Sequence, residues 1–229
     1  MAKQKNQNDH LNVEEVVTQS EAFIIKHKTL ILGVVIGIIL IVAGFLMYKN
    51  LYSGPREEKA QAALFPGQEY FSQSAYQTAL NGDSLGYIGF IQIADQYSGT
   101  DAANLANAYA GLSYKNLNKP EEAVKWLDKF NGKDQMVSPA ILGAIGNCYA
   151  DLEQYDKASP MLLKAADKAD NNTLSPLFLM QAGNILVKEG KYDDAVKAYT
   201  KIKEKYFQSF QAQAMDIDKY IERARMMKK

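Results

Sequence analysis

The sequence predicts an all-α protein in which one transmembrane helix near the N-terminus precedes an α-solenoid, a curved stack of antiparallel helix pairs. Two observations lead to this prediction. A run of 20 residues from Thr29 to Tyr48 contains no charged side chain. Farther along the chain, glycine and alanine recur at fixed offsets with a period of 35 and then 37 residues, which is typical of stacked helical repeats. A length of 229 residues suits one domain with an appendage.

The uncharged run TLILGVVIGIILIVAGFLMY has the length of a transmembrane helix, since 20 residues at about 1.5 Å each cover the roughly 30 Å core of a bilayer. The run is longer than the apolar part of a signal peptide, and no small-x-small cleavage pattern follows Met47. We therefore expect an uncleaved anchor. Gly33 and Gly37 form a GxxxG pattern, which fits either helix pairing or the ordinary tolerance of glycine in lipid.

Lysines beside the apolar run predict its orientation. Lys26 and Lys28 lie directly before the run, whereas Lys49 is the one basic residue directly after it. Under the positive-inside rule this asymmetry favours a cytoplasmic N-terminus and an exported C-terminal domain. The predicted location is a bacterial inner membrane, crossed once, with the repeats in the periplasm.

The rest of the chain divides around this anchor. Apolar residues such as Val13, Val16 and Phe23 recur at helical spacing before it, which predicts a short amphipathic helix behind a polar, unstructured tail, Met1 to Asp9. The sequence Ser53-Gly54-Pro55 is expected to break the helix after the anchor. The predicted organisation is a cytoplasmic tail with the amphipathic helix at 1–28, the anchor at 29–48, a hinge at 49–56 and the repeat domain at 57–229.

Three units of the repeat domain share one pattern. In each unit a glycine precedes a large residue by three positions and an alanine by 12 positions. These offsets resemble the tetratricopeptide repeat (TPR), in which small residues let two antiparallel helices cross closely. The glycines are Gly111, Gly146 and Gly183, the large residues are Tyr114, Tyr149 and Leu186, and the alanines are Ala123, Ala158 and Ala195.

A degenerate repeat is expected before these three units, and a capping helix after them. Gly86 and Phe90 have the spacing of Ala195 and Tyr199, which predicts a second helix over 84–97. Its first helix is expected within 57–80, kinked or interrupted at Pro66-Gly67. The amphipathic segment 209–225 predicts the cap. This gives about nine helices.

Composition and motifs argue against several functions. The 26 basic and 26 acidic residues balance, so the chain lacks the basic excess that nucleic acid binding requires. The sole cysteine, Cys148, cannot form an intramolecular disulfide, and both histidines, His10 and His27, precede the repeats. No nucleophile–base arrangement, phosphate loop or metal-ligand cluster is present. We expect no enzyme activity, no cofactor, no metal and no small-molecule substrate; an enzyme with an unrecognised site is the alternative.

A solenoid of this kind offers a concave groove lined by the first helix of each repeat, which can hold a peptide or a helix of a partner. Asn147 and Asn184 occupy equivalent positions, and such amides can bind a peptide backbone. A groove of solvated polar residues without a ligand is the alternative. The residues predicted to face the groove are Leu105, Ala108, Leu112, Lys115, Asn116, Asn147, Asp151, Met180, Asn184 and Lys188.

The arrangement resembles the YfgM-like family of bacterial inner-membrane proteins. The likeness lies in residues 21–48 and in the segments NLANAYAGLSY, AIGNCYADLEQYDKA and AGNILVKEGKYDDAVKAY. This resemblance implies an ancillary role at the SecYEG translocon, with periplasmic chaperones or exported chains as further partners. The alternative is a TPR scaffold for another envelope complex, in cell division, outer-membrane biogenesis or secretion.

Overall fold

The computed structural model describes the backbone of residues 13–228, and the side chains of residues 21 and 23–228. The predicted tail, Met1 to Asp9, lies outside the described residues, as do the side chains that define the start of the predicted amphipathic helix. The described residues form two compact units, which divide between Pro55 and Arg56. All regular secondary structure among the described residues is helical, which confirms the predicted all-α class.

The first unit contains one long helix, α1, from Val13 to Tyr48. Its backbone leaves helical geometry at His27, where φ is −110° and ψ is 17°. This kink lies where the predicted amphipathic helix meets the apolar run. The apolar part has a mean hydropathy of 3.1 and buries none of its residues, and α1 carries the one stretch in the described chain that is long and apolar enough to cross a membrane.

The predicted helix break at residues 53–55 is wrong. A π-helix spans Lys49–Ser53, and the next α-helix begins at Gly54. The Gly54 N–H donates to the carbonyl of Lys49, five residues back. Pro55 therefore lies inside a continuous helical stretch, where its missing N–H leaves one preceding carbonyl without an intrahelical partner. The role of residues 49–56 as a hinge stays a prediction.

The second unit is built from helix pairs. The pairs α5 with α6, α7 with α8, and α9 with α10 correspond to the three predicted repeats, which are confirmed as helical hairpins. The helices are α2 (Gly54–Ser72), α3 (Tyr76–Asn81), α4 (Gly89–Gln96), α5 (Asp101–Asn116), α6 (Pro120–Leu127), α7 (Val137–Asp151), α8 (Tyr155–Ala169), α9 (Ser175–Lys188), α10 (Tyr192–Lys205), α11 (Phe210–Gln213) and α12 (Ile217–Met227).

Close helix crossings at the repeat glycines hold each hairpin together. A Cβ added at Gly111 would lie 2.5 Å from Leu127, and one added at Gly183 would lie 2.3 Å from the Tyr199 ring. A Cβ at Gly146 would lie 2.8 Å from Leu162. The three repeat alanines, Ala123, Ala158 and Ala195, are fully buried. Only a hydrogen atom at each glycine leaves room for the large residue of the second helix.

The first repeat differs from its prediction. A Cβ at Gly67 would lie 2.5 Å from the ring of Phe90, and Ala79, which follows Gly67 by 12 residues, is fully buried. Gly67 and Ala79 therefore play the roles of Gly183 and Ala195, and the assignment of Gly86 to the alanine position was wrong. Gly86 lies in a loop with φ of +114°, and the helix predicted to start at Ser84 starts at Gly89.

An insertion of seven residues explains this difference. Phe90 follows Ala79 by 11 positions, whereas Tyr199 follows Ala195 by four. The extra residues, 82–88, split the second helix of the first repeat into α3 and α4. The Asp83 carboxylate organises this insertion, because it accepts hydrogen bonds from the Leu85 and Tyr87 N–H groups and from the Tyr70 hydroxyl, at 2.8, 3.0 and 2.6 Å. These bonds lower the pKa of Asp83.

Two further expectations need correction. Pro66 does not interrupt α2, which continues to Ser72; a kink at this position stays a prediction. A proline at this position removes a single hydrogen bond, to the carbonyl of Ala62, and Leu64 and Gly67 are buried on either side of it. The cap is also two helices, α11 and α12. With the split first repeat, the described part of the chain has eleven helices from α2 to α12, against about nine predicted.

Carboxylate side chains cap the N-termini of two first helices, α5 and α7. Glu57 of α2 accepts hydrogen bonds from the N–H groups of Asp101 and Ala102 at the start of α5, at 2.7 and 3.0 Å. Asp134 accepts from the Met136 N–H at 2.8 Å and from the Ser138 hydroxyl at 2.7 Å, directly before α7. The hydrogen bond from Ser138 and those from the backbone lower the pKa of Asp134 to about 2. The first helices of the second and third repeats, α5 and α7, are thereby held at their N-terminal ends.

Candidate protein-binding groove

The first helices α5, α7 and α9 carry the residues predicted to line the groove. These helices contact one another in order along the stack, α5 with α7 and α7 with α9. The second contact is close, because a Cβ at Gly143 would lie 2.2 Å from the ring of Phe178. The three helices therefore form a continuous layer on one side of the repeats.

Two of the predicted groove residues are core residues. Ala108 is 2% exposed and Met180 is 5% exposed. Ala108 belongs to a cluster with Ala123 and Leu127, and Met180 to a cluster with Leu179 and Tyr199. Both side chains are covered by neighbouring helices, so neither presents a surface to a ligand, and their assignment to the groove surface is corrected.

The other eight predicted residues keep accessible surface. Leu105 and Leu112 are half-buried and pack against the core with part of their side chains. Lys115 and Asn147 are also half-buried, whereas Asn116, Asp151, Asn184 and Lys188 are exposed. The accessible side chains of this helix layer are therefore polar toward the C-terminal ends of the three helices. Binding by these residues is a proposal, argued below.

Asn184 is held in one orientation. The hydroxyl of Tyr199 donates a hydrogen bond of 2.8 Å to its Oδ1 atom. Burial raises the pKa of Tyr199 to about 12, so the hydroxyl keeps its proton near neutral pH. The oxygen of Asn184 is thus engaged, while its amide nitrogen can donate to a ligand. In the preceding repeat, Leu162 replaces the tyrosine, so Asn147 has no equivalent partner in its second helix.

Two opposite charges, near the ends of α5 and α7, influence the buried thiol of Cys148. The buried thiol of Cys148 has its pKa raised to about 11, first by burial, while Lys115 lowers it and Asp151 raises it through their charges. Both charged groups therefore affect the pKa of the same thiol. The raised pKa keeps Cys148 a neutral thiol and argues against a nucleophilic role. On α9, the Nζ atom of Lys188 lies 5.3 Å from the centroid of the Tyr155 ring.

Sequence reasoning missed exposed apolar residues near the starts of α7 and α9. Ala140 of α7 and Leu177 of α9 are both exposed, Leu177 by 39%. Met136 and Val137, at the start of α7, are 57% and 45% exposed. Ala140 and Leu177 each stand six residues before a repeat glycine, as does Leu105. That shared offset could have revealed them from the sequence.

Two hollows lie elsewhere in the described part of the chain. Residues 21 and 23–228 include no group of three or more His, Cys, Asp or Glu residues placed to hold a metal ion. A hollow of about 520 Å³ lies beside the insertion and is lined by Pro66, Leu85 and Tyr97 among others. A second, of about 390 Å³, lies between α8 and α10, and the charges on its rim form ion pairs such as Lys201 with Asp167.

The repeats and their layer of accessible first helices define the class of protein, a helical-repeat scaffold for protein–protein interaction. A model of the tetratricopeptide repeat-like domain family matches residues 22–217. The match covers most of the chain, including the apolar helix and all four repeats, so this protein belongs to that family. No curated protein matches the sequence significantly.

Proposed function

We propose that this protein is a membrane-anchored interaction scaffold of the bacterial cell envelope, and that its groove on α5, α7 and α9 holds part of another protein. The observation that carries the proposal is the layer of accessible polar residues on three touching helices. Asn184 is the strongest single indication, because a buried hydroxyl holds its amide in a fixed orientation and a preorganised donor binds at a lower entropic cost.

The apolar part of α1 supports the membrane anchor. Its side chains are exposed throughout, with none buried in the apolar window. Transfer of such surface from water to lipid is strongly favourable. The lysines on its N-terminal side favour a cytoplasmic N-terminus, with the repeats in the periplasm of a bacterium with an inner membrane.

We further propose that the partners belong to protein export. The resemblance to the YfgM-like family supports an ancillary role at the SecYEG translocon, with periplasmic chaperones or exported chains in the groove. A scaffold in which the same groove assembles another envelope complex is the competing hypothesis. The two differ in the proteins that the groove contacts.

Photo-crosslinking in living cells tests the proposal. A photoreactive residue is placed at Asn147 or Asn184 in the groove, and at Lys164 of α8 as an exposed control. We expect crosslinks to translocon subunits, chaperones or exported chains from the two groove positions and not from Lys164. Equal crosslinking from all three positions would contradict a groove site, and capture of division or outer-membrane assembly proteins would favour the competing scaffold.

Protease accessibility tests the anchor and its orientation separately. Protease added to intact spheroplasts should digest the repeat domain and leave α1 with the membrane. Digestion only after lysis would reverse the orientation. Release of the whole chain into the soluble fraction would exclude the anchor.

A further inference from the structure

The hollow of about 520 Å³ in the first repeat lies between α2, the insertion at residues 82–88 and the C-terminal end of α4. Its volume is within the range of roughly 300–1,000 Å³ that is usual for ligand sites. None of its lining residues belongs to α5, α7 or α9, so it is separate from the candidate groove.

The walls of this hollow are apolar apart from a few groups. Ala62 and Pro66 of α2 line one side, and Leu85 and Ile88 of the insertion line another. Leu85 is 90% exposed, so its side chain is free to cover an apolar part of a ligand. Among the described residues that line the hollow, Asp83 alone carries a charge. The hollow therefore combines apolar walls with one carboxylate.

Hydrogen bonds fix the Asp83 carboxylate and leave one accepting place on it. Its Oδ1 atom accepts from the N–H groups of Leu85 and Tyr87, at 2.8 and 3.0 Å. Its Oδ2 atom accepts from the Tyr70 hydroxyl at 2.6 Å. A carboxylate oxygen accepts about two hydrogen bonds. Oδ1 is therefore filled, whereas Oδ2 can accept one more.

The negative charge of Asp83 has no cation to balance it in the described part of the chain, where it forms no ion pair. The side chain of Arg56 reaches the backbone of Gln96, but it donates to the carbonyl there, at 3.0 Å. Glu69 adds negative charge to the region, since its charge helps to raise the pKa of Tyr70. The hollow thus complements a cationic group.

The single free place on Asp83 selects between the two common cationic side chains. The guanidinium of arginine binds a carboxylate best as a fork that uses both oxygens, and Oδ1 is already filled. The ammonium of lysine is a point donor that needs one accepting place. Its four-carbon stem also prefers an apolar surface, such as the one that Pro66 and Leu85 provide.

We infer that this hollow binds a lysine side chain of a partner protein, with the ammonium on Oδ2 of Asp83 and the stem against Pro66 and Leu85. The site goes beyond the proposed function, because it lies outside the groove and does not depend on what the groove holds.

Three blocked tripeptides, Ala-X-Ala with lysine, arginine or norleucine at X, test the inference. Each is titrated into the full chain in nanodiscs, with the isoleucine methyl groups labelled with ¹³C. The NMR signal of Ile88, assigned with the variant Ile88→Val, reports binding in the hollow. We expect the lysine tripeptide to bind about fivefold tighter than either of the others.

A charge-removing variant identifies the carboxylate. Asp83→Asn should weaken binding of the lysine tripeptide about fivefold, to the level of the norleucine tripeptide. Asp95→Asn is the matched control, because Asp95 is an exposed residue of α4 that does not line the hollow. It should leave the Kd unchanged. Circular dichroism checks that both variants remain folded.

A second variant tests the free place on Oδ2 without removing the charge. Tyr70→Phe takes away the hydroxyl that donates to Oδ2, so this oxygen can accept two hydrogen bonds from a ligand. The arginine tripeptide should then bind within about twofold of the lysine tripeptide. This change in preference is not expected if Tyr70 and Asp83 only stabilise the loop.

Four results would overturn the inference. They are no binding of the lysine tripeptide, equal binding of the lysine and norleucine tripeptides, equal effects of Asp83→Asn and Asp95→Asn, and an unchanged preference for lysine in Tyr70→Phe. Failure of the groove crosslinks would contradict the proposed function and leave this site unaffected.

Discussion

The first and fourth repeats make the same helix crossing with different second helices. In the fourth repeat, Gly183 of α9 leaves room for Tyr199 of the continuous helix α10. In the first repeat, Gly67 leaves room for Phe90 and Tyr87, which come from either side of the junction between the insertion and α4. Both crossings bury an alanine completely, Ala195 and Ala79.

The comparison shows that the repeat is defined by its helix crossing rather than by an unbroken second helix. The glycine, the alanine and the large residue must meet in space, and seven extra residues can be looped out between them. The two ends of the loop must then lie close together. Backbone packs against backbone there, since a Cβ at Gly82 would lie 2.2 Å from the Tyr87 carbonyl oxygen.

The largest effect is expected where this loop closes. Gly89 has φ of +86°, and a Cβ there would lie 2.4 Å from the carbonyl oxygen of Leu80. Gly89→Ala combines backbone strain with a clash that no side-chain rotation relieves, so we expect the free energy of unfolding to fall by about 3 kcal/mol. Urea unfolding of the full chain in detergent, followed by circular dichroism, measures it.

Gly86→Ala is the matched control for this change. Gly86 also has positive φ, +114°, but nothing lies within 4 Å of its Cβ position. This variant should lose only about 1–2 kcal/mol, from backbone strain alone. Equal losses at the two positions would show that loop closure is not the tight point of the first repeat.

A smaller effect is expected at the crossing of the fourth repeat. Gly183→Ala forces the Tyr199 ring to move, and the free energy of unfolding should fall by about 2 kcal/mol. Gly67→Ala, the equivalent change in the first repeat, should cost a similar amount, because its Cβ would strike Tyr87 and Phe90. Unfolding in urea compares the two variants directly.

A double-mutant cycle isolates the cause. In a Tyr199→Ala background the ring is gone, and Gly183→Ala should stabilise the protein by up to about 1 kcal/mol, the usual advantage of alanine over glycine inside a helix. An unchanged loss in that background would mean that the glycine is required for some reason other than the crossing.

The smallest effect is expected at a helix start. The first repeat caps α5 through Glu57, whereas α7 is capped by Asp134 of its own preceding loop. Asp134→Ala should lower the free energy of unfolding by about 1 kcal/mol at neutral pH. Because the folded pKa of Asp134, about 2, lies below its usual 3.8, the carboxylate stabilises the fold above about pH 4.

The lowered pKa of Asp134 sets the direction of the pH dependence. As the pH falls from about 4 toward 2, Asp134 becomes protonated and loses its capping strength, so the difference between wild type and Asp134→Ala should shrink. Urea unfolding at several pH values measures this. A difference that grows toward acid would contradict the assignment of Asp134 as an ionised cap.

Several features of the fold could be predicted from the sequence alone. The crossings at Gly111, Gly146 and Gly183 depend on small residues at fixed offsets, and those offsets can be recognised in the sequence. Gly67 and Ala79 carry the same offset of 12, but this pair is hard to recognise from the sequence, because the insertion moves Phe90 seven positions from where the pattern requires it.

The groove shows a different limit. Periodicity identifies which face of a helix a residue is on, and it placed Asn184 and Lys188 at accessible positions. It cannot show whether a neighbouring helix covers that position, as happens at Ala108 and Met180. Burial of this kind depends on helices that are far apart in the chain.

Local spacing in the sequence is enough to predict the apolar run, the three regular repeats and the residue types along the first helices. The tertiary structure was needed to establish where the loop of the first repeat closes, which positions on the first helices stay accessible and how Tyr199 orients Asn184. Those outcomes depend on the packing of side chains from different helices, and sequence spacing within one helix does not contain that information.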